Sequence, residues 1–211
     1  MFLIDLQRAS YWASAVHHKA DRAAVIVEIT LPLPEQGELV HLPISSLPVM
    51  KTDGNKVDLA VRPGWKVIYF WSAACPCVSA CERYSFIPLA KQYQGKVAFY
   101  GVVSGSYDLS HGALSLQKSI GDRKLPYPIF LDKTHATALA LHAQVTPQTF
   151  LLNPKNEIVF SGMPDDSRRY LAGAGKPGVT QTYLSDALAQ ALAGKPITQP
   201  KTENQGCIIS W

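Results

Sequence analysis

The sequence predicts one α/β domain in which helices cover a central mixed β-sheet. Residues 65–71 form a nearly continuous apolar run, which is typical of a strand buried on both faces of a sheet. Helical patterns alternate with further apolar runs along the chain, as in domains built from strand–helix–strand units. With 211 residues the chain is long enough for one such domain with an extension and short for two.

The elements follow in order along the chain. Alternating apolar residues on both sides of a Pro34–Gly37 turn predict a β-hairpin over residues 24–42. A helix over 76–93 follows the 65–71 strand, and Pro88 is expected to kink or end it. The pattern then predicts a strand over 96–104, a helix over 109–121, a strand over 127–131, a short helix over 134–142, hairpin strands over 149–152 and 157–160, and a final helix ending at Gly194.

These elements divide the chain into three segments. Residues 1–42 are an N-terminal extension with the β-hairpin, residues 43–196 are the α/β domain, and residues 197–211 are a tail that carries Cys207. The tail is rich in Pro, Thr and Gln, and we expect it to lie over the surface.

Composition and charge exclude several classes of function. The net charge is +4 with 17% charged residues, and no basic cluster marks the chain as nucleic-acid binding. No stretch approaches the roughly 18 apolar residues of a membrane-spanning helix. The first residues lack the basic-then-apolar order of a signal peptide, so we expect a cytoplasmic protein, or a periplasmic one if the true start lies upstream.

The four cysteines are arranged as a reactive site. Cys75, Cys77 and Cys81 fall within seven residues, whereas a disulfide scaffold spreads its cysteines through a small chain. Cys75 stands directly before Pro76, which suits the first turn of a helix. A helix N-terminus stabilises a thiolate through its unpaired N–H groups and the positive end of its dipole. Cys75 is therefore the predicted nucleophile.

The cysteine that pairs with Cys75 is open between two candidates. In a regular helix Cys81 would lie about 9 Å along the axis, at ~1.5 Å per residue, beyond the ~7 Å that a disulfide spans between Cα atoms. Cys77 is close enough, although a bridge between the two would be a small, strained and labile ring. Cys207, on the tail, could reach Cys75 without strain.

Several motifs together carry a resemblance to a known family. They are Phe70-Trp71-Ser72-Ala73-Ala74-Cys75-Pro76-Cys77, Thr146-Pro147-Gln148-Thr149-Phe150-Leu151, Gly162 with Asp165-Asp166, and Gly206-Cys207-Ile208-Ile209. Over residues 43–211 the chain resembles the peroxiredoxin-like redoxin-domain proteins of the AhpC/TSA type, which have a thioredoxin-like fold. The resemblance implies that Pro147 is a cis-proline, that Cys75 is the nucleophile and that Cys207 is the family's C-terminal cysteine.

The resemblance also implies an activity. It is thiol–disulfide oxidoreduction or thiol-dependent peroxide reduction (an antioxidant activity), through a redox-active disulfide of Cys75 with Cys77 or Cys207. Thr146-Pro147 would position an extended partner by strand-like hydrogen bonds, and Trp71 would pack beside the site and limit water. The substrate would be a protein or small-molecule disulfide or a peroxide, and an external dithiol would be the electron donor. No cofactor or metal is required.

Two other classes of function remain open. The Cys77–Cys81 spacing, Cys-x-x-x-Cys, is similar to that of copper-binding assembly factors of this fold, in which two thiolates and a histidine hold Cu(I). The nearest histidines, His135 and His142, read as helix residues. Alternatively, the chain could be an interaction module that keeps the fold without catalysis.

Charged residues near the motifs have simpler expected roles. We expect Glu82 to be solvated and Asp165-Asp166 to cap a turn. No arginine is an obvious partner for a peroxide, and Arg83 is the nearest in sequence.

Overall fold

The computed structural model describes residues 43–110, 113–167 and 179–210, and for residues 113–115 it describes the backbone alone. The predicted hairpin over 24–42 and the rest of the N-terminal extension lie outside the described residues.

Seven strands form a mixed sheet in the described residues. Their bounds are β1 Pro48–Met50, β2 Lys56–Asp58, β3 Trp65–Phe70, β4 Val97–Val103, β5 Ile129–Leu131, β7 Thr149–Leu152 and β8 Ile158–Gly162. Their order across the sheet is β2-β1-β5-β4-β3-β7-β8. The central strand β3 runs parallel to β4 and antiparallel to β7. Two short strands, β6 (Val145–Thr146) and β9 (Cys207–Ile208), pair with each other in a separate sheet. The predicted mixed sheet is confirmed.

Six α-helices accompany the sheet in the described residues. They are α1 Pro76–Cys81, α2 Ile87–Gln92, α3 Ser106–Ser110, α4 Ala113–Arg123, α5 Ala136–Ala140 and α6 Tyr183–Leu192. The final helix ends at Leu192, two residues before Gly194, whose φ of 68° is the left-handed conformation typical of a helix C-terminus. Within the described residues, no helix has the length and apolar character needed to cross a membrane.

The helix that begins after Cys75 contains a π-helical turn, Glu82–Phe86, between α1 and α2. At its end the Ile87 N–H bonds to the carbonyl of Glu82, five residues back. In a regular α-helix the ring of Pro88 would clash with the carbonyl four residues before it and remove one hydrogen bond. The wider turn accommodates the proline, and the helix runs on to Gln92, so Pro88 does not end it.

Alternating side chains of β3 divide the core between the two faces of the sheet. Val67 and Tyr69 belong to the core on one face, together with Cys75. Ile68 and Phe70 belong to the core on the other face. This alternation follows from the period of two in a strand, and it places the cysteine-bearing helix on the first face.

The tail lies largely exposed over the surface, and in addition it forms backbone hydrogen bonds with two strands, β8 and β6. The Ser161 N–H bonds to the carbonyl of Pro200 at 2.9 Å, and the Thr202 N–H bonds to the carbonyl of Ser161 at 3.0 Å. Farther along, β9 pairs antiparallel with β6. Backbone pairing along strand edges is the physical reason, because a polar tail can satisfy its N–H and C=O groups there.

Candidate active site

Cys75 lies at the N-cap of α1 with an extended backbone (φ −82°, ψ 115°). Its carbonyl accepts the Val78 N–H at 3.1 Å, which starts the helix. Pro76 occupies the first helical turn, where its missing N–H costs nothing. The Cys75 side chain is only 1% exposed. The nucleophile predicted from the sequence is therefore a helix N-cap residue, and it is buried.

The structure brings Cys207 to Cys75. The two Sγ atoms are 2.8 Å apart, and the Cys75 thiol also lies 3.2 Å from the carbonyl oxygen of Thr146. A disulfide bond measures about 2.05 Å, so the two sulfurs are in contact as thiols and have not formed a bond. Cys207 is exposed, whereas Cys75 is buried.

The surroundings of Cys75 favour its thiolate. Burial acts to raise the pKa of the thiol, but hydrogen bonds outweigh it, chiefly those from the side chains of Cys207 and Thr146 and then those from the N–H groups of Val78 and Cys207. The pKa of Cys75 therefore lies below its usual value. A thiolate is the form that attacks disulfides and peroxides.

The Thr146-Pro147 peptide bond is cis, and its edge is covered by the protein's own tail. Thr146 pairs with Cys207 and Val145 with Ile208 in the antiparallel β6–β9 ladder. The next hydrogen bond runs from the Ile209 N–H to the carbonyl of Gln144 at 2.9 Å. The backbone position expected for an external partner is thus filled from within the chain.

Cys77 and Cys81 are both buried in α1. Burial raises the pKa of the Cys81 thiol well above its usual value, and the nearby Asp165 carboxylate adds to the shift. The Cys81 sulfur lies 3.6 Å from the Ser167 hydroxyl and 3.9 Å from an Asp165 carboxylate oxygen. Cys81 is therefore a protonated core thiol.

The two neighbouring aspartates have different environments. Asp166 is partly exposed and caps the turn as expected, since it accepts the N–H groups of Thr180 and Gln181 at 2.8 and 3.1 Å. Asp165 also accepts the Ser167 N–H, at 2.8 Å, but it is buried and bonded to the Ser85 hydroxyl beneath the cysteine-bearing helix. Turn capping alone is therefore the wrong interpretation for Asp165. Burial raises the pKa of its carboxyl group.

Replacing Asp165 with asparagine is expected to make the protein less sensitive to rising pH. A carboxyl group with a raised folded pKa contributes stability only while it is protonated, and this contribution is lost as the pH rises from about 3.9, the usual aspartate value, through the folded pKa. The melting temperature of Asp165→Asn relative to the parent should therefore increase as the pH rises above about 4, and should level off once the pH has passed the raised pKa of the folded state.

Asp166→Asn is the matched control for that series. Slight burial raises the pKa of Asp166, but hydrogen bonds from Thr180 and Gln181 outweigh this and lower it. Because this carboxylate is ionised throughout the range above about pH 5, its variant should differ from the parent by a constant amount there. Parallel pH profiles for the two variants would contradict the assignment of a raised pKa to Asp165.

Glu82 is buried, so the expectation that it is solvated is wrong. One carboxylate oxygen accepts the Trp71 indole N–H at 2.7 Å and the Tyr69 hydroxyl at 3.1 Å. The other oxygen accepts a hydrogen bond from Arg123. The π-helical turn begins at this residue. Glu82 thereby links the helix after Cys75 to the end of β3, where Trp71 is fully buried.

Arg123, from the end of α4, fixes the loop that precedes Cys75. Its second nitrogen donates to the Ala73 carbonyl at 2.9 Å, and Asp108 accepts the Ala73 N–H at 3.1 Å. The guanidinium carbon also lies 5.2 Å from the centroid of the Trp71 ring. The arginine nearest in sequence, Arg83, is exposed. Sequence reasoning missed Arg123 because no local pattern links it to a loop fifty residues earlier.

Three or more metal-ligating side chains do not cluster anywhere in residues 43–110, 113–167 and 179–210. His135 and His142 flank α5 and have left-handed φ values of 57° and 52°. The expectation that both are helix residues is therefore wrong. The described residues therefore provide no three-ligand set of the kind that the copper hypothesis requires.

The chain is similar in sequence to one protein family and in structure to several solved proteins. A sequence model of the AhpC/TSA family matches residues 40–161. An uncharacterized conserved protein from Geobacillus kaustophilus is 26% identical with a TM-score of 0.71, covering 82% of this chain and 92% of its own. A hypothetical protein from Sinorhizobium meliloti 1021 is 24% identical with a TM-score of 0.71, covering 82% and 94%.

A putative thioredoxin from Neisseria meningitidis has the same fold at 23% identity, with a TM-score of 0.51 and coverage of 72% of this chain and 93% of its own. No protein with a curated description matches the sequence. The predicted thioredoxin-like α/β fold is confirmed.

Proposed function

The chain belongs to the AhpC/TSA family, and from this premise we propose that it is a thiol–disulfide oxidoreductase whose redox-active pair is Cys75 and Cys207. The observation that carries the proposal is the 2.8 Å contact between the two sulfurs. The lowered pKa of Cys75 supports its role as the attacking thiolate. The contact supports Cys207 as the resolving cysteine in preference to Cys77.

The oxidative half of the cycle transfers two electrons to a substrate disulfide. The Cys75 thiolate attacks one substrate sulfur, and the other leaves as a thiolate that takes up a proton. Deprotonated Cys207 then attacks the Cys75 sulfur of the mixed disulfide and releases the second substrate thiol. The substrate disulfide gains two electrons and two protons, and a Cys75–Cys207 disulfide forms.

The reductive half requires an external dithiol donor. One donor thiolate attacks the Cys75–Cys207 disulfide, and the second donor thiol resolves the mixed disulfide that results. The donor leaves as a disulfide, and both protein thiols are restored. Cys207 is the exposed member of the pair, so its sulfur is the more accessible point of attack for the donor.

Thiol-dependent peroxide reduction is the second candidate, and membership of the AhpC/TSA family favours it. The Cys75 thiolate would attack one peroxide oxygen, break the O–O bond and become a sulfenic acid, while water or an alcohol leaves. The Cys207 thiol would condense with the sulfenic acid, release water and form the same disulfide. A peroxide would need a cation such as an arginine to hold it beside Cys75. Arg123 reaches the loop before Cys75, but its guanidinium is bound to Glu82 and Ala73, and this is why disulfide exchange is the preferred function.

Disulfide mapping tests the proposed pair directly. The metal-free reduced chain is oxidised with diamide, remaining thiols are blocked, and peptides are identified by mass spectrometry. We expect a Cys75–Cys207 bridge that disappears on reduction and reforms on reoxidation, and no such bridge in Cys75→Ser. A Cys75–Cys77 bridge would overturn the assignment of Cys207. Four thiols that resist the oxidant but bind one Cu(I) would favour the copper-binding alternative.

A further inference from the structure

The edge of β6 already holds a strand, and that strand is the protein's own. Residues 206–210, which we call the terminal segment, pair with β6 through the Thr146–Cys207 and Val145–Ile208 positions. At the far end the Ser106 N–H bonds to the Ser210 carbonyl at 2.9 Å, and the two serine hydroxyls are 2.8 Å apart. The terminal segment thus binds along its whole length beside Cys75.

Two adjacent isoleucines of the terminal segment have opposite environments. Ile209 is 3% exposed and belongs to the core on the second face of the sheet, whereas Ile208 is 83% exposed. Side chains alternate in a strand, so only one of the two can be buried at this edge. Ile209 is therefore the apolar anchor of the terminal segment, two positions after the cysteine.

The residue before the cysteine has no room for a side chain. Gly206 has a φ of 155°, and a Cβ at this position would lie 2.0 Å from the carbonyl oxygen of Thr146 and 2.7 Å from its carbonyl carbon. Both distances are far below normal contact, and the neighbouring atoms are backbone that cannot swing away. A strand bound in this register must therefore carry glycine directly before its cysteine.

We propose that β6, within residues 143–148, is a strand-binding site for extended Gly-Cys-x-apolar segments. The terminal segment fills this site as an intramolecular ligand, and a partner polypeptide reaches Cys75 by displacing it. The three elements of the pattern are the Gly206 position, which has no room for a Cβ, the sulfur opposite Cys75 and the buried Ile209 position. The inference rests on the proposed function only in taking Cys75 as the sulfur that must become accessible.

Masking of Cys75 is the direct consequence. Its side chain is 1% exposed while the terminal segment is bound. External molecules reach a buried thiol only through a local opening, and the rate then follows the free energy of that opening. Weakening the anchor should therefore expose Cys75 without unfolding the domain.

Alkylation of the reduced full-length chain by iodoacetamide tests this masking, with each cysteine followed by peptide mass spectrometry. We expect Ile209→Asp to raise the alkylation rate of Cys75 at least about tenfold, because a charge replaces a buried side chain and favours opening. The matched control Ile208→Asp, one residue away and exposed, should stay within about twofold of the parent. Cys81 is a fully buried core thiol, so its alkylation would report global unfolding. We expect it to stay unreactive in both variants.

Peptides test the sequence pattern on the same Ile209→Asp chain. The probe is acetyl-Asn-Gln-Gly-Ser-Ile-Ile-Ser-amide, which copies residues 204–210 with serine in place of the cysteine. We expect it to slow Cys75 alkylation again, whereas the same peptide with alanine in place of glycine gives no protection. Equal Cys75 rates in the parent and Ile209→Asp, or equal protection by both peptides, would overturn the proposal. Neither readout needs a Cys75–Cys207 disulfide, so a failure of the proposed function is recognised separately in the disulfide map.

Discussion

Replacing Cys75 with serine is expected to lower the rate of dithiol-dependent disulfide reduction by about a thousandfold or more, since a hydroxyl is not a nucleophile at neutral pH without an activating base. The lowered pKa and the contact with Cys207 both depend on the Cys75 sulfur. The measurement is the steady-state reduction of insulin disulfides with a dithiol donor, and circular dichroism confirms that the variant is folded.

Variants of the other cysteines divide the cycle into steps. Cys207→Ser should still form a mixed disulfide through Cys75 but should turn over slowly, so that the substrate remains attached and is detected by mass spectrometry. Cys77→Ser should turn over normally if Cys207 is the resolving cysteine. Loss of turnover in Cys77→Ser with retention in Cys207→Ser would contradict the proposed pair.

The second large effect is expected from Arg123→Met, which should lower the free energy of unfolding by about 2–4 kcal/mol. Removing the guanidinium leaves the Glu82 carboxylate buried without its ion-pair partner, and it frees the Ala73 carbonyl. The loss is smaller than the full cost of breaking a buried ion pair because the Arg123 side chain is 23% exposed to solvent. Urea unfolding followed by circular dichroism measures the change.

Lys118→Met is the matched control for this loss. Lys118 lies on the same helix and forms an ion pair with Asp122, but the two side chains are 75% and 65% exposed. Exposed pairs of this kind contribute little, so the control should change stability by no more than about 0.5 kcal/mol. Equal losses in the two variants would contradict the structural role of Arg123.

Arg123→Lys separates charge from geometry. The arginine binds Glu82 through one nitrogen and the Ala73 carbonyl through the other. A lysine supplies the charge but not the planar pair of donors. We expect it to recover part of the stability lost in Arg123→Met but not all of it, because the Ala73 loop is then held by Asp108 alone, and urea unfolding measures the difference.

The part of this molecule that the sequence by itself determined is local. The apolar run over 65–71 forms the central strand β3. Side chains alternate between the two faces of a strand, so a strand that is apolar on both faces is stable only where a core covers each face. Cys75 before Pro76 becomes a helix N-cap because proline fixes the first turn. The hairpin around residues 153–156 also follows from turn chemistry within a few residues.

Only the tertiary structure decided which distant groups meet at Cys75. Cys207 lies 132 positions away, and backbone pairing between β9 and β6 brings its sulfur into contact. Arg123 reaches Glu82 and Ala73 across elements that are far apart in the chain. These contacts depend on strand order and on how helices cross the sheet, and neighbouring residues do not encode either. Burial of Glu82 and Asp165 has the same origin, because the elements that pack over a polar side chain decide whether it is buried or exposed.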